Sequence, residues 1–229
     1  MKRPQAALFD RLAAGAQLYD YPEESLAKLD ALLADKGRTL DVGCGDGTIA
    51  VALRAQFVVG FDVSHRCAQL STRRGIPSVV ADATEALPFP DSSFDTVYCV
   101  DVLHHLEGNT PRLLREIQRV LRANGALIIV EPDARNPFVR VTQAPGSLLR
   151  VAPFDNEPAI DPEELLPVLE QLGFAWTCAP IQINGEQLER RTFPLWQRVL
   201  KAPFVLAIAF CYRHVPNKFA IVARKQTDE

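Results

Sequence analysis

Three glycines and two acids are concentrated in the segment Leu40–Gly47, which reads LDVGCGDG. Glycines with this spacing allow a tight turn and let a ligand approach the backbone closely. A further acid, Asp62, follows the apolar run Phe57–Phe61 and lies 15 residues after the last of these glycines. A carboxylate placed there can accept hydrogen bonds from both hydroxyls of a ribose. The pattern indicates a nucleoside-binding turn between a strand and a helix.

The acids around this turn decide which nucleoside ligand it suits. Asp41 and Asp46 lie in the turn, and Asp82 ends the next apolar run after Asp62. They would repel a diphosphate, Thr48 stands where a dinucleotide motif has its third glycine, and the P-loop lysine is absent. An NAD-linked oxidoreductase is therefore disfavoured. S-adenosylmethionine (SAM) suits the acids better, since it carries a sulfonium, an amino acid and a nucleoside but no phosphate.

Other reactive side chains form no recognisable constellation. Neither a GxSxG elbow nor an HExxH zinc motif is present. His104 and His105 are adjacent, so at most one is expected to face a cleft. His105 is a weak candidate for a base or a hydrogen-bonding group, and a packed histidine is the alternative. The cysteines are odd in number and form no CxxC pair, which argues against a disulfide framework and a zinc site; they are Cys44, Cys67, Cys99, Cys178 and Cys211. No metal is expected.

Composition limits the class of protein further. The 229 residues suit one domain, and 48% hydrophobic residues are enough to build a core. The formal charge of −3 argues against a nucleic-acid binder that relies on a positive field. No apolar run approaches the roughly 20 residues of a membrane-spanning helix. Asp10 and Arg11 interrupt the apolar residues near the N-terminus, which makes a poor secretory signal, and the scattered cysteines also predict a cytoplasmic location.

Strands and helices alternate around the glycine turn, which predicts a parallel sheet covered on both faces. Ser64 is the expected N-cap of one of these helices. Asn124 and Gly125 are expected to close another, because both residue types tolerate positive φ. The predicted strands cover 39–42, 57–61, 78–81, 94–100 and 126–130, and the predicted helices cover 49–54, 64–73 and 111–121.

Segments on either side of this core are less regular. Two helices are predicted before it, over 6–18 and 23–34. After it, a proline-rich excursion covers 134–160. A helix over 161–172 that stops at Gly173, a strand over 174–183, an apolar stretch over 191–215 and a final strand over 218–224 complete the chain.

Four motifs in this order resemble the class I SAM-dependent methyltransferases, in particular the methyltransferase type 11 group. They are LDVGCGDGTIA, FDVSHRCAQLS, ADATEALPFPDSSFDTVYCVDVLHHL and LLREIQRVLRANGALIIVEP. The resemblance covers about residues 37–132, and the flanking segments match only loosely. The group includes quinone-biosynthesis methyltransferases and many small-molecule enzymes.

The resemblance implies a Rossmann-like α/β fold. Its sheet would have seven strands, mostly parallel, with helices on both faces and the last strand antiparallel. The chain would be a single methyltransferase domain, 1–229. Within it, 1–36 would form N-terminal cap helices, 37–132 the SAM-binding core, and 133–160 with 185–216 the excursions on the acceptor side.

The resemblance also assigns cofactor-binding roles to individual residues. The Ala83 amide would face a ring nitrogen of adenine, and Val100 would offer its carbonyl near the sulfonium or amino group. Tyr19 is a candidate apart from the resemblance: it precedes the second predicted helix and is expected to close over the ligand, with a surface or core aromatic as the alternative. Gly43, Cys44 and Gly45 would line the methionine part, Asp41 would orient its amino or carboxylate end, Asp62 would hold the ribose, Val63 would stack on adenine and Asp82 would accept from the adenine amino group.

The implied function is SAM-dependent methyl transfer to a small molecule, with S-adenosylhomocysteine as the product. A non-catalytic SAM-binding or regulatory protein is the alternative. Val100–Leu103 stands where adenine and amide N-methyltransferases have an Asn-Pro-Pro-Tyr-type loop, which disfavours DNA-base methylation. The apolar stretch 191–216 has two interpretations, either extra core or a subunit interface, or an apolar lid or membrane-surface contact for a hydrophobic acceptor. Oligomeric state is not predicted.

Overall fold

A computed structural model describes most of the chain, with gaps near the N-terminus and in the later part. The described residues are 4–13, 19–32, 37–53, 55–143, 158–183, 186–187 and 215–227. The apolar stretch predicted over 191–215 therefore lies outside the described residues except at its last position, and so does much of the proline-rich excursion.

Seven strands form one mixed sheet, which confirms the predicted fold class. Their order is β4-β3-β2-β5-β6-β9-β7, and β9 runs antiparallel to both of its neighbours. The other pairs are parallel. The strands are β2 (Arg38–Val42), β3 (Phe57–Asp62), β4 (Ser78–Val80), β5 (Phe94–Val100), β6 (Leu121–Pro132), β7 (Phe174–Ile181) and β9 (Lys218–Lys225), while β1 (Tyr19–Asp20) and β8 (Glu186–Gln187) pair separately.

Helices connect these strands as the alternating pattern predicts. Ser64 caps α4, since its hydroxyl accepts a hydrogen bond from the Cys67 amide at 3.0 Å. Gly173 has a φ of +71° just beyond α7, as expected of a residue that ends a helix. The helices are α1 (Pro4–Leu12), α2 (Glu23–Leu32), α3 (Thr48–Ala52), α4 (His65–Arg73), α5 (Thr110–Val120), α6 (Pro137–Gln143) and α7 (Pro162–Gln171), and a short 3-10 helix spans Leu103–His105.

Alternating residues of the central strands pack on opposite faces of the sheet. On β5, Val97 and Cys99 belong to the cluster that also holds apolar residues of α5 and α7, whereas Tyr98 faces the cluster that contains Leu29 of α2. All four are almost inaccessible to solvent. Because both faces are covered, these strands are apolar throughout, as in other buried parallel sheets.

One sequence prediction is wrong in its details. Helix α5 ends at Val120, before the expected stop at Asn124. Leu121 is already extended and pairs with Phe94, so the chain joins the sheet directly after the helix. Asn124 does have positive φ, at +61°, but it uses this conformation in a turn within β6. The positive φ of Asn124 was therefore predicted correctly, but its position at the end of a helix was not.

The two N-terminal helices occupy different positions. Phe9 of α1 packs against the Cys67 and Leu70 cluster of α4. Leu29 of α2 instead packs over the sheet, against side chains of β5, β6 and β9. Of these two helices, α1 lies beside the carboxyl ends of the strands, where the candidate site is found.

Candidate functional site

A pocket opens where the strands β2, β3 and β5 end, the position at which parallel α/β sheets bind ligands. Its walls combine acids with apolar and aromatic side chains. Within the described part of the chain, no lysine or arginine lines it. The lining residues on which the argument depends are Phe9, Tyr19, Gly43, Asp62, Val63, Asp82, Ala83, Asp101, Val102, His105 and Leu106.

The glycine turn forms the floor of this pocket, and its glycines are required. Gly43 and Gly45 have φ values of +68° and +51°. A β-carbon built on Gly45 would lie 2.9 Å from Cε2 of Tyr19, and one built on Gly43 would lie 2.7 Å from Cγ2 of Val102. Both distances are shorter than a van der Waals contact. Tyr19 and Val102 can therefore pack directly on the turn only because it has no side chains there.

Asp62 ties the glycine turn to the end of β3. Its Oδ2 accepts a hydrogen bond from the Gly45 amide at 3.0 Å, and its Oδ1 accepts one from the Ser64 amide at 2.8 Å. The residue is only 8% exposed, and this burial raises its pKa from 3.8 to about 6, although the two amides oppose the shift. Each carboxylate oxygen has two lone pairs, so the side chain can hold the turn and also accept from a ligand.

Further along the same edge, Val63, Asp82 and Ala83 line the pocket. Oδ1 of Asp82 accepts hydrogen bonds from the amide and the hydroxyl of Thr84, at 2.9 and 2.8 Å. These bonds fix the turn after β4, so that the backbone at Ala83 is held in one position beside the pocket.

Four of the predicted cofactor residues are not among those that line the pocket: Asp41, Cys44, Gly45 and Val100. Cys44 is buried, and its amide donates to the Phe61 carbonyl at 2.9 Å. Asp41 is 4% exposed, and burial raises its pKa from 3.8 to about 8, an effect that the neighbouring Tyr98 hydroxyl partly offsets. Asp41 therefore supports the turn from below.

The raised pKa of Asp41 predicts a specific dependence of stability on pH. Between about pH 4 and pH 8 this group is ionised in the unfolded chain and protonated in the folded one, so its burial costs more free energy as pH rises. Asp41→Asn removes the ionisable group. In the absence of ligand, the free energy of unfolding of the variant minus that of the wild type is expected to increase by at least about 1 kcal/mol from pH 4.5 to pH 8.5, since one pKa unit corresponds to about 1.4 kcal/mol.

Urea unfolding at both pH values measures this difference. Glu164→Gln, which removes an exposed acid from α7, is the matched control, and its difference in stability from the wild type should be almost the same at both pH values. A difference between wild type and Asp41→Asn that stays constant from pH 4.5 to pH 8.5 would contradict the prediction.

The two adjacent histidines face different surroundings, as expected. Nδ1 of His104 lies 2.6 Å from Oε2 of Glu131, a fully buried side chain. His105 lines the pocket, and its ring meets that of Phe9 edge-on with centroids 5.4 Å apart. Burial lowers the pKa of His105 well below its usual 6.5, and the nearby His104 contributes to the same shift. His105 is therefore a neutral ring at physiological pH.

Asp101 and Glu131 are site residues that the sequence interpretation missed. Asp101 lines the pocket directly after β5, with a φ of +57°, and its carboxylate contacts Nζ of Lys218 and the hydroxyl of Tyr21. Glu131 ends β6 and accepts hydrogen bonds from the amides of Val102 and Leu103, at 2.7 and 2.6 Å. Both follow the rule that identified Asp62, an acid at the carboxyl end of a strand, and that rule would have found them.

Asp101, His104 and Glu131 place three potential metal-ligand atoms within 4.8 Å of one another. These groups already interact with hydrogen-bond donors and a cation of the protein itself. Lys218 provides a cation at Asp101, and Glu131 interacts with two amides and the His104 ring. The arrangement is that of a hydrogen-bonded network that holds the turn after β5.

Helix α1 is attached to the site through Asp10. Oδ1 of Asp10 accepts hydrogen bonds from the Ser64 hydroxyl at 2.6 Å and the Arg66 amide at 3.1 Å, at the start of α4. An acid at this point also interacts favourably with the helix dipole. This attachment places Phe9 over His105 on the open side of the pocket.

Comparison with known proteins agrees with this architecture. The family model described as a methyltransferase domain matches residues 40–129. A 27-O-demethylrifamycin SV methyltransferase of Amycolatopsis mediterranei is 28% identical over 65% of this chain and 62% of its own length. A probable S-adenosylmethionine-dependent methyltransferase of Mycobacterium tuberculosis is 32% identical over 74% of this chain and 60% of its own length.

Among solved structures, the [4+2]-cyclase SpnF superimposes with a TM-score of 0.65 and 20% identity, over 100% of this chain and 97% of that one. This likeness concerns the fold alone. The chain spans about three fifths of the length of the two methyltransferase relatives described above.

The fold, the glycine turn and these matches show a likeness to the class I SAM-dependent methyltransferases. The matching methyltransferase-domain model covers the strands and helices around the pocket. SAM is the cofactor of the family, and the residues present fit it. Gly43 leaves the pocket wall at the turn without a side chain, a β-carbon at Gly45 would meet the Tyr19 ring that lines the pocket, and the acids along the strand ends suit a ligand that carries a sulfonium and an ammonium.

Proposed function

We propose that this protein transfers the methyl group of SAM to a small acceptor molecule. The observation that carries the proposal is the charge of the pocket on the side of the glycine turn: Asp62 and Asp82 line it, and no lysine or arginine is among the described residues that line the pocket. A diphosphate would meet only repulsion from these side chains. A cationic nucleoside without phosphate would be attracted.

In this proposal, residues at the carboxyl ends of different strands bind different parts of the cofactor. Asp62 accepts hydrogen bonds from the ribose hydroxyls, and Val63 packs against the adenine. Asp82 and the Ala83 amide form hydrogen bonds with the edge of the adenine ring. Gly43 and Gly45 let the methionine part lie on the backbone of the turn. Tyr19, stacked on Gly45, covers that part from above.

Binding by these residues supplies most of what the reaction requires of the protein. SAM carries a methyl group that is already activated for transfer. The protein must place an acceptor atom in line with that methyl group and exclude water, and such positioning accounts for much of the rate in reactions of this kind. The rings of Phe9 and His105 close one side of the pocket and contribute to the exclusion of water.

A small and partly apolar acceptor fits the rest of the pocket. Phe9, Val102 and Leu106 provide its apolar surface. The rifamycin methyltransferase relative, by its name, acts on a small molecule, which supports the same class of acceptor here. None of the helices in the described part of the chain has the length and apolar character needed to cross a bilayer.

A second candidate is a SAM-binding protein without methyltransferase activity. It is favoured by the likeness to SpnF, which is a cyclase by its title and has the same fold. The cofactor site would be identical under both hypotheses. Turnover of an acceptor distinguishes them.

Two measurements test the proposal. Calorimetric titration is expected to show binding of SAM and S-adenosylhomocysteine and no binding of NAD, because the acids repel its diphosphate. A labelled-methyl assay with a small-molecule extract of the source organism's cells should then yield a labelled product. Binding of NAD alone would contradict the proposal, whereas SAM binding with no labelled product from any extract would favour the second candidate.

A further inference from the structure

Asp101 has three properties that the cofactor site does not explain. It has positive φ, a conformation that residues other than glycine seldom adopt and that is concentrated at functional sites. Its carboxylate is 23% exposed and lies on the pocket wall. It is also fixed in place, by an ion pair with Lys218 and a hydrogen bond of 3.4 Å from the Tyr21 hydroxyl.

The direction of this side chain separates it from the cofactor side. In the sheet, β2, β3 and β4 lie on one side of β5 and carry the glycine turn, Asp62 and the turn at Asp82. On the other side lie β6 and then β9, whose first residue is Lys218. The Asp101 carboxylate reaches across the end of β6 to Lys218. It therefore points away from the residues assigned to the adenosine.

Lys218 and Tyr21 leave the carboxylate able to accept more hydrogen bonds. Lys218 contacts Oδ1 and the Tyr21 hydroxyl donates to Oδ2, whereas a carboxylate offers about four lone pairs. An acceptor that enters from this side meets an oriented hydrogen-bond acceptor. It must itself bring an O–H or N–H group.

We infer that Asp101 binds the hydroxyl group that receives the methyl group and takes its proton. The inference rests on the proposed function. The acceptor oxygen forms the new bond to the methyl carbon with a lone pair, the bond from that carbon to sulfur breaks with its electron pair left on sulfur, and the hydroxyl proton passes to Asp101 and then to solvent. Acceptor, cofactor and proton account for all atoms and charges.

A hydroxyl fits this role better than an amine. An alcohol or phenol oxygen that gains a methyl group becomes an oxonium, a very strong acid, and any carboxylate within hydrogen-bonding distance can remove its proton. An alkylammonium holds its proton with a pKa near 10, so a carboxylate cannot prepare it for attack at neutral pH. The assigned acceptor class is therefore a small molecule with a free hydroxyl, and the product is a methyl ether.

The experiment uses SAM with a ¹³C-labelled methyl group and two acceptor sources, a small-molecule extract of the source organism's cells and a panel of phenols, alcohols, amines and thiols. The ¹³C chemical shift of the transferred methyl group distinguishes O-, N-, S- and C-methyl products even when the acceptor is unidentified. The wild type is expected to yield O-methyl products. N-, S- or C-methyl products would overturn the inference and leave the proposed function standing.

Asp101→Asn tests the residue itself, because asparagine tolerates positive φ and keeps the shape of the side chain. Its kcat is expected to fall at least about 100-fold, the usual minimum for loss of a proton acceptor. Its affinity for S-adenosylhomocysteine should stay within about threefold of the wild type, well under 1.4 kcal/mol. Glu107→Gln is the matched control, since Glu107 also has positive φ, lies six residues after Asp101 beyond the short 3-10 helix, and is exposed.

The outcomes of these experiments distinguish failure of the inference from failure of the proposed function. Unchanged kcat in Asp101→Asn overturns the inference. Parallel loss of kcat and of affinity for S-adenosylhomocysteine also overturns it, since Asp101 would then contact the cofactor or support the turn. Absence of transfer by the wild type from both acceptor sources, with SAM binding intact, contradicts the proposed function and the inference with it.

Discussion

Asp62→Ala is expected to lower the affinity for SAM by at least about 100-fold. The ribose hydroxyls lose a buried partner, which costs roughly 1–3 kcal/mol, or about tenfold to a hundredfold in affinity. The structure adds a second loss. The amides of Gly45 and Ser64 donate to the same carboxylate, so its removal also releases the glycine turn from the end of β3.

Calorimetry on adenosine and 2′-deoxyadenosine separates the two losses. In the wild type the missing hydroxyl should weaken binding, and in Asp62→Ala both nucleosides should bind equally weakly. If deoxygenation costs the same in both proteins, Asp62 does not bind the ribose.

Ser64→Ala provides a control for general destabilisation at this position. It removes the N-cap of α4 and the hydroxyl contact with Asp10, at a cost of about 1 kcal/mol, but keeps the Ser64 amide that donates to Asp62. Its affinity for SAM is expected to change by only a few-fold. A loss as large as that of Asp62→Ala would assign the effect to the start of α4 and not to the carboxylate.

The central strands could be predicted because most of their residues are apolar and few of them are exposed. The runs at Leu40, Val59 and Tyr98 fall in β2, β3 and β5 as expected, and the antiparallel β9 follows from the family resemblance. The turn at Asn124 was misplaced because positive φ is a local property of a residue. Whether it serves a helix end or a turn within a strand depends on where the next pair of the ladder forms.

The site was less predictable where it depends on contacts between distant strands. The position of Asp101 directly after β5 could be recognised from the sequence, but its pairing with Lys218, 117 positions away, could not. The same is true of Glu131, since it ends β6 but its partners are backbone amides of the turn after β5. Asp41 was assigned to the ligand by resemblance, but the structure places it behind the glycine turn, beside Tyr98. Residue type predicted these groups' chemistry, and only the sheet order shows what each one faces.

The glycine turn supports the other prediction with a large expected effect. Gly45→Val is expected to abolish SAM binding that calorimetry can detect. The β-carbon alone would lie 2.9 Å from Cε2 of Tyr19, and a branched side chain would occupy the floor on which the ligand rests. The backbone contributes as well, since φ is +51° and a β-branched residue in this region costs about 1–3 kcal/mol of stability.

Gly75→Val separates backbone strain from the loss of the ligand's space. Gly75 also has positive φ, at +90°, but a β-carbon there meets nothing within 4 Å and the residue lies outside the pocket. Both variants are expected to unfold at lower urea concentration than the wild type, and only Gly45→Val should lose SAM binding.

Tyr19→Ala combined with Gly45→Ala then tests the cause of that loss, because removing the ring makes room for a methyl group. If the double variant binds SAM as well as Tyr19→Ala alone, the defect of a side chain at Gly45 comes from displacing Tyr19; if it binds SAM more weakly than Tyr19→Ala, the ligand itself lies against the Gly45 backbone, as the proposed function requires. Normal SAM binding by Gly45→Val would show that the glycine turn does not hold the cofactor.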